Sequence, residues 1–363
     1  MEFVCSSKTL RSDYFIALDT SGCEHLVVIA KASWNIPKPG QRPRPLHPTP
    51  FCDSDEYFGV PGESAIRYGD DHVRYKSRCD VIFDACAHAP ECTPVKELTV
   101  GIRVGASQKV IRVFGNRIWR SGISGFSFSD PEPFERMPLH FGHAFGGVRY
   151  FERNGATHAE AQLSNPAGIG WAGPATIGVI DGTPAANLEN INERIAFPDE
   201  KYAPIALSAL GRHWLPRAQY AGTFDEKWRK EQAPFLPEDF DEQFHQCAPL
   251  DQQIPYPQGG EIVQLVHLSR EFSNLKFQLP MMNHMKIHVL RSDLSAETLQ
   301  AVADTLFFEV ELQRFSVVWR ASTPIRRRIQ EFTTVVVGSM DPHWWKMKRL
   351  GVDTMANCVG CRS

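Results

Sequence analysis

The chain has 363 residues, with 39 Lys and Arg against 42 Asp and Glu, a formal net charge of −3. A balance so near zero lacks the basic excess of a general nucleic-acid or anionic-membrane binder, and 42% hydrophobic with 22% charged residues excludes wholesale disorder. The 26 Pro and 26 Gly, with Pro above its usual ~5%, demand many turns and ordered loops.

The opening stretch MEFVCSSKTLRSD has neither an apolar h-region nor a small-residue cleavage site. The longest apolar runs of the chain, such as 26–30 and 335–337, are far shorter than the ~18–20 residues of a membrane span. A cytoplasmic protein with no membrane partner is therefore expected. Nine scattered cysteines, an odd number, read as reduced thiols and not as a disulfide framework.

In chain order, apolar and β-branched segments predict strands over 14–18, 25–33, 80–83, 98–104 and 109–114, the last two joined in a hairpin at Gly105-Ala106-Ser107-Gln108. Imperfect alternation in 109–113 suggests a strand covered on both faces. Six prolines within 37–50 make that stretch an extended surface arm. From about 120 to 260 periodicity fades while Gly, Pro, Asn and aromatics accumulate, which reads as long ordered loops. Two short helices interrupt them: 225–232, capped by Asp225 and stopped by Pro234, and 237–244, with Pro237 in its first turn.

Strands resume at 261–268, 275–279 and 286–290. A hairpin turning near Gln313 joins 307–311 to 315–320 and puts Phe315, Val317 and Trp319 on one face. A strand over 332–337 follows, with a helical turn at 295–302 before the hairpin. Asp341-Pro342 opens a helix that ends at Gly351. The fold class expected is mainly β (a β-rich α+β protein), with sandwich-like sheets, long irregular loops and a few short helices. One domain is expected over 12–340, with 341–363 a short helix and a cysteine-containing tail.

Gly168-Ile169-Gly170-Trp171-Ala172-Gly173 is a literal G-x-G-x-x-G, but Asn165-Pro166 precedes it where a dinucleotide site needs a strand, and Pro174 follows where it needs a helix. P-loop, G-x-S-x-G and H-E-x-x-H motifs are lacking. His140 and His143 offer two imidazoles without an evident third metal ligand. Cys79, Cys86 and Cys92 do not have zinc-ribbon spacing. Cys358 and Cys361 do form a C-x-x-C, a weak metal or redox candidate without a second pair. Arg326-Arg327-Arg328 reads as a solvated turn. The acids Glu238, Asp239, Asp241, Glu242 and Asp251 read as caps or solvated groups before they read as an acid/base pair.

A series of words, in order, carries a resemblance: Asp80-Val81, Ala87-His88-Ala89-Pro90, Val113-Phe114-Gly115-Asn116-Arg117-Ile118-Trp119, Ala144-Phe145-Gly146-Gly147, Asn165-Pro166-Ala167-Gly168, Asn187-Leu188-Glu189, Trp214-Leu215-Pro216-Arg217, Ala221-Gly222-Thr223-Phe224-Asp225-Glu226-Lys227-Trp228, Ala248-Pro249-Leu250-Asp251-Gln252-Gln253 and Trp319-Arg320. In these words the chain resembles domain-of-unknown-function family 2169, found with bacterial type VI secretion systems. Ala85, Ala206 and Ser208 stand where that family is richer in Gly. The resemblance implies a non-enzymatic chaperone or adaptor, with no cofactor, that stabilises an effector toxin encoded nearby and helps load it onto the VgrG/PAAR spike. Each word has two readings, a folding signature or a client contact. On the second, the client-binding candidates are Arg117, Trp119, Phe145, Trp171, Trp214, Arg217, Asp225 and Trp228. The rivals are a metal-assisted hydrolase built on His140, His143 and an acid such as Asp225 or Asp239, and a structural module of the secreted spike.

Overall fold

The computed structural model describes residues 1–123, 125–173 and 180–352. The protein is mostly β, with three short helices among the described residues. Its largest sheet has seven strands. In spatial order these are Gln253–Ile254, Cys79–Asp84, Val302–Glu309, Arg314–Pro324, Glu24–Asn35 and Arg11–Leu18, with Pro45–Leu46 added beside Glu24–Asn35. A five-stranded antiparallel sheet runs Leu188–Asn190, Ser107–Phe114, Glu97–Val104, Ile262–Val266, Asn274–Gln278. A four-stranded sheet runs Glu2–Cys5, Phe332–Val337, Lys286–Arg291, Ala296–Gln300.

Period-two alternation decides which face each strand buries. In the large sheet, Leu26, Val28, Ala30, Val81, Phe83, Leu306, Phe308, Phe315, Val317 and Trp319 point one way. They share one continuous core with Val100, Ile102, Val113 and Leu265 of the second sheet and Ile287, Val289 and Val335 of the third. This is the sandwich-like packing expected from the sequence.

The opposite face of the large sheet is buried too, but it is partly charged. Lys31, Asp80, Asp304, Thr305 and Arg320 are all 4% exposed or less. They are neutralised in pairs: Lys31 with Asp71 at 2.9 Å, Lys76 with Asp80 at 2.9 Å, and Arg320 with Asp304 at 2.5 Å. Asp80 also accepts from Gln246 Nε2 at 2.8 Å and from the backbone N–H groups of Cys247 and Ala248. These bonds tie the irregular segment before Gln253–Ile254 to the sheet. Such pairs add little net stability, because desolvation offsets attraction, yet each partner is costly to remove alone.

Most predicted elements stand. The hairpin turns at Gln313, whose φ is +50°, and Asp341 caps the helix Pro342–Arg349 before Gly351 at φ +70°. Three expectations are corrected. Residues 295–302 hold an edge strand, Ala296–Gln300, paired with Lys286–Arg291 instead of a helical turn. Residues 237–244 yield only a turn and the 3₁₀ segment Glu242–His245. The strand Ser107–Phe114 has one exposed face: Ile111 and Val113 are buried while Gln108 and Val110 face solvent, and it was Lys109, buried against Asp251 and Gln252, that blurred the pattern. Segments at both ends of the described residues also pack on the body. Glu2–Cys5 pairs in parallel with Phe332–Val337, and Trp344 and Trp345 pack on Leu290 and Val336. Cys358 and Cys361 lie outside the described residues.

Candidate functional site

Five of the eight contact candidates are interior. Trp119 is 0% exposed, and its indole N–H donates to the Gly170 carbonyl at 2.9 Å. Phe145 packs beside it, edge-on to Tyr202. Arg117 is clamped between the rings of Phe114 and Phe128, pairs with buried Glu189 and donates to the Ala186 carbonyl. Trp214 meets Phe141 edge to face, and Arg217 donates to the carbonyls of Leu210 and Phe244. These residues close loops onto each other and leave no side-chain surface for a partner. Burial pulls the Arg117 and Arg217 guanidiniums below their ordinary pKa. Asp225 is the N-cap of helix Glu226–Glu231, accepting from Trp228 N at 2.8 Å.

The glycine-rich words serve close backbone packing. A Cβ on Gly115 would lie 1.8 Å from the Glu132 carbonyl oxygen, and one on Gly146 2.1 Å from that of Asn165. Asn165 donates to the Phe141 and Phe145 carbonyls. Phe145–Gly146 and Ile169–Gly170 pair as two-residue strands, so the G-x-G-x-x-G is internal to this packing.

The rings of His140 and His143 lie 4.8 Å apart. His140 stacks on Phe58 and accepts from Gly142 N, while His143 Nδ1 bonds Asn187 Oδ1. Neither belongs to a three-donor cluster among the described residues. Asp239 is tied to Thr223, Asp241 caps the 3₁₀ segment, Glu242 pairs with Arg74 and Asp251 pairs with Lys109.

Two features among the described residues stand out as open to a partner. The first is an aromatic knob: Phe224 is 56% and Phe235 49% exposed, and half-buried Trp228 lies edge-on to Phe224 at 4.8 Å and donates to the Phe235 carbonyl. Half-buried Trp171 lies apart from it, lining a hollow of about 290 Å³ with Gly146, Gly147 and Gly170.

The second feature is a cleft of about 450 Å³ with Ile36, Leu268, Phe272, Leu275 and Val310 among its apolar residues. Lys38 and Glu271 approach to 3.6 Å there. His88 bonds Glu311 at 2.7 Å, and that bond, aided by Arg136, holds the Glu311 carboxyl below the usual range. Leu275 belongs to Asn274–Gln278, the last strand of the five-stranded sheet. Its hydrogen-bonded positions are fixed by two neighbours: Ser273 O accepts from His267 N, and Leu279 N donates to Glu261 O. By antiparallel alternation, 275 and 277 bond inward, while Asn274, Lys276 and Gln278 turn their N–H and C=O groups outward, and all three are exposed. The sequence predicted this strand, but nothing in its pattern marked it as an edge.

Comparison with known families then decides membership. A family described as an uncharacterized protein conserved in bacteria (DUF2169) matches residues 21–320. The chain belongs to this family. No curated protein and no solved structure matches it. The DUF2169 match spans the large sheet from Glu24–Asn35 through Arg320, the cleft, the edge strand and the aromatic knob. Among the described residues no helix is long and apolar enough to cross a membrane.

Proposed function

We propose that this DUF2169 protein is a non-enzymatic chaperone or adaptor that holds an extended segment of another polypeptide. The observation that carries the reading is the uncovered edge Asn274–Gln278 beside the 450 Å³ cleft. An incoming strand would bond the outward N–H and C=O groups of Asn274, Lys276 and Gln278, and its side chains would reach the apolar cleft. Natural proteins blunt such edges because they recruit foreign strands, and here a lone Lys276 stands mid-strand. In the setting that the sequence resemblance implies, the client is a type VI effector toxin encoded nearby, held in the cytoplasm for transfer to the VgrG/PAAR spike. Binding is stoichiometric and uses no nucleotide or cofactor.

The test is co-expression with the neighbouring toxin, comparing the wild-type chain with Lys276→Pro. Proline there removes only an outward N–H, so the internal ladder survives. One lost hydrogen bond weakens capture by about fivefold, and the ring obstructs further pairing. Co-purification and toxin solubility should fall while the melting temperature holds. Unchanged capture would overturn the edge-strand reading. A toxin whose level and delivery do not depend on this chain at all would overturn the chaperone reading.

A further inference from the structure

The tight turn between the first two strands of the large sheet, Asp19-Thr20-Ser21-Gly22-Cys23-Glu24-His25, gathers three unlike donors. A carboxylate oxygen of Asp19, the Cys23 sulfur and a His25 ring nitrogen all lie within 4.8 Å of one another, and this is the one such group of three among the described residues. Pairing Leu18 with Glu24 and Ala17 with His25 sets their spacing. Asp19 Oδ1 is held by Ser21 N, Ser21 Oγ and Cys23 N at 2.6–2.9 Å, so Oδ2 alone faces His25 Nε2, at 2.9 Å. The other ring nitrogen, His25 Nδ1, is buried and has no hydrogen-bond partner. All three residues are part-buried, at the surface end of the hairpin where an ion can enter.

We propose that this turn binds a divalent transition metal, with Zn²⁺ the ion that suits it best. Thiolate, imidazole and carboxylate together match zinc and disfavour Mg²⁺ and Ca²⁺, which take oxygen alone. Three protein donors leave the fourth tetrahedral position to water. The cation takes the Nε2 position between His25 and Asp19, the proton of the neutral ring moves to Nδ1, and Cys23 releases its thiol proton to solvent as it coordinates. Bound there, the ion would cross-link the two ends of the turn, which packs on Phe235, whose ring lies 3.0 Å from where a Cβ on Gly22 would stand. This site is independent of the edge-strand reading.

The probe is Co²⁺, added to chelator-treated full-length protein carrying Cys358→Ser and Cys361→Ser, so that the C-terminal thiols cannot contribute. One equivalent should produce tetrahedral d–d bands with a thiolate-to-cobalt charge-transfer band, and Zn²⁺ should bleach both. Cys23→Ser should abolish the charge-transfer band. His25→Gln, which keeps a donor toward Asp19, should weaken binding at least tenfold with an unchanged circular dichroism spectrum. Absence of the bands, binding only at millimolar metal, or a charge-transfer band that survives Cys23→Ser would overturn the site.

Discussion

Arg117 Nη2 and Glu189 Oε1 form an ion pair of 2.5 Å between side chains only 4% and 1% exposed. It joins two of the words by which the family resemblance was first visible, and it pins the strand Leu188–Asn190 to the loop that follows Ser107–Phe114. Removing one partner strands a buried charge, which costs about 3–5 kcal/mol. Glu189→Ala should therefore lower the urea midpoint sharply, while Arg120→Ala, an exposed position on the same stretch, should leave it within about 0.5 kcal/mol of wild type. Equal effects would show that the pair does not hold the loop.

Gly115 sits two residues before Arg117, where the Glu132 carbonyl comes too close for any side chain. Gly115→Ala must push that backbone away and should cost on the order of 3 kcal/mol or more, seen as loss of soluble yield and of the cooperative unfolding transition. Gly122→Ala meets nothing within 4 Å and serves as the matched control.

These residues explain what the sequence made legible. The strand carrying Phe315, Val317 and Trp319 was readable because that face had to be apolar, although Val318 on its other face is buried as well. Turn chemistry placed Gln313, Asp225 and Asp341 correctly. Residues 295–302 misled because Ala296, Glu297, Leu299 and Gln300 suit a helix, whereas pairing with Lys286–Arg291 decides the matter. The loop region misled more. An isolated Trp or Arg without periodicity looks the same whether it closes a core, as Trp119 and Arg217 do, or faces solvent, as Phe224 does. The edge strand and the Asp19–His25 turn depend on which elements lie beside them, and no local pattern encodes that.

Two histidines set most of an acid limit on stability, and burial lowers His288 in the same direction. Burial, then the nearby His143, lowers His140 from 6.5 to about 4. Burial, then Arg217, Arg320, Lys76 and Arg74, lowers His245 from 6.5 to about 3. Below pH 6.5 the unfolded chain takes up protons that the folded chain refuses, so stability falls as pH drops from 6.5 toward these folded values. Each imidazole accounts for up to about 2 kcal/mol between pH 7 and pH 5. The depressed carboxyl of Glu311 acts only at lower pH, as it falls below the ordinary carboxylate range. Urea unfolding at pH 7, 6 and 5 should show this decline, and His140→Gln with His245→Gln should reduce it. A slope identical in the double variant would refute the assignment.

Trp214 and Trp228 separate folding from capture. Trp214 is 1% exposed, and cutting it to alanine should cost about 3–5 kcal/mol by leaving a cavity against Phe141. Trp228 lies on a two-turn helix between two exposed phenylalanines, so its removal should cost the fold about 1 kcal/mol or less. If the aromatic knob is a second anchor for the client, beside the strand edge, Trp228→Ala should weaken co-purification about tenfold or more while the melting temperature stays near wild type. Trp214→Ala should lower both together, and client bound per folded molecule should be unchanged. Full capture by Trp228→Ala would confine recognition to the edge and its cleft.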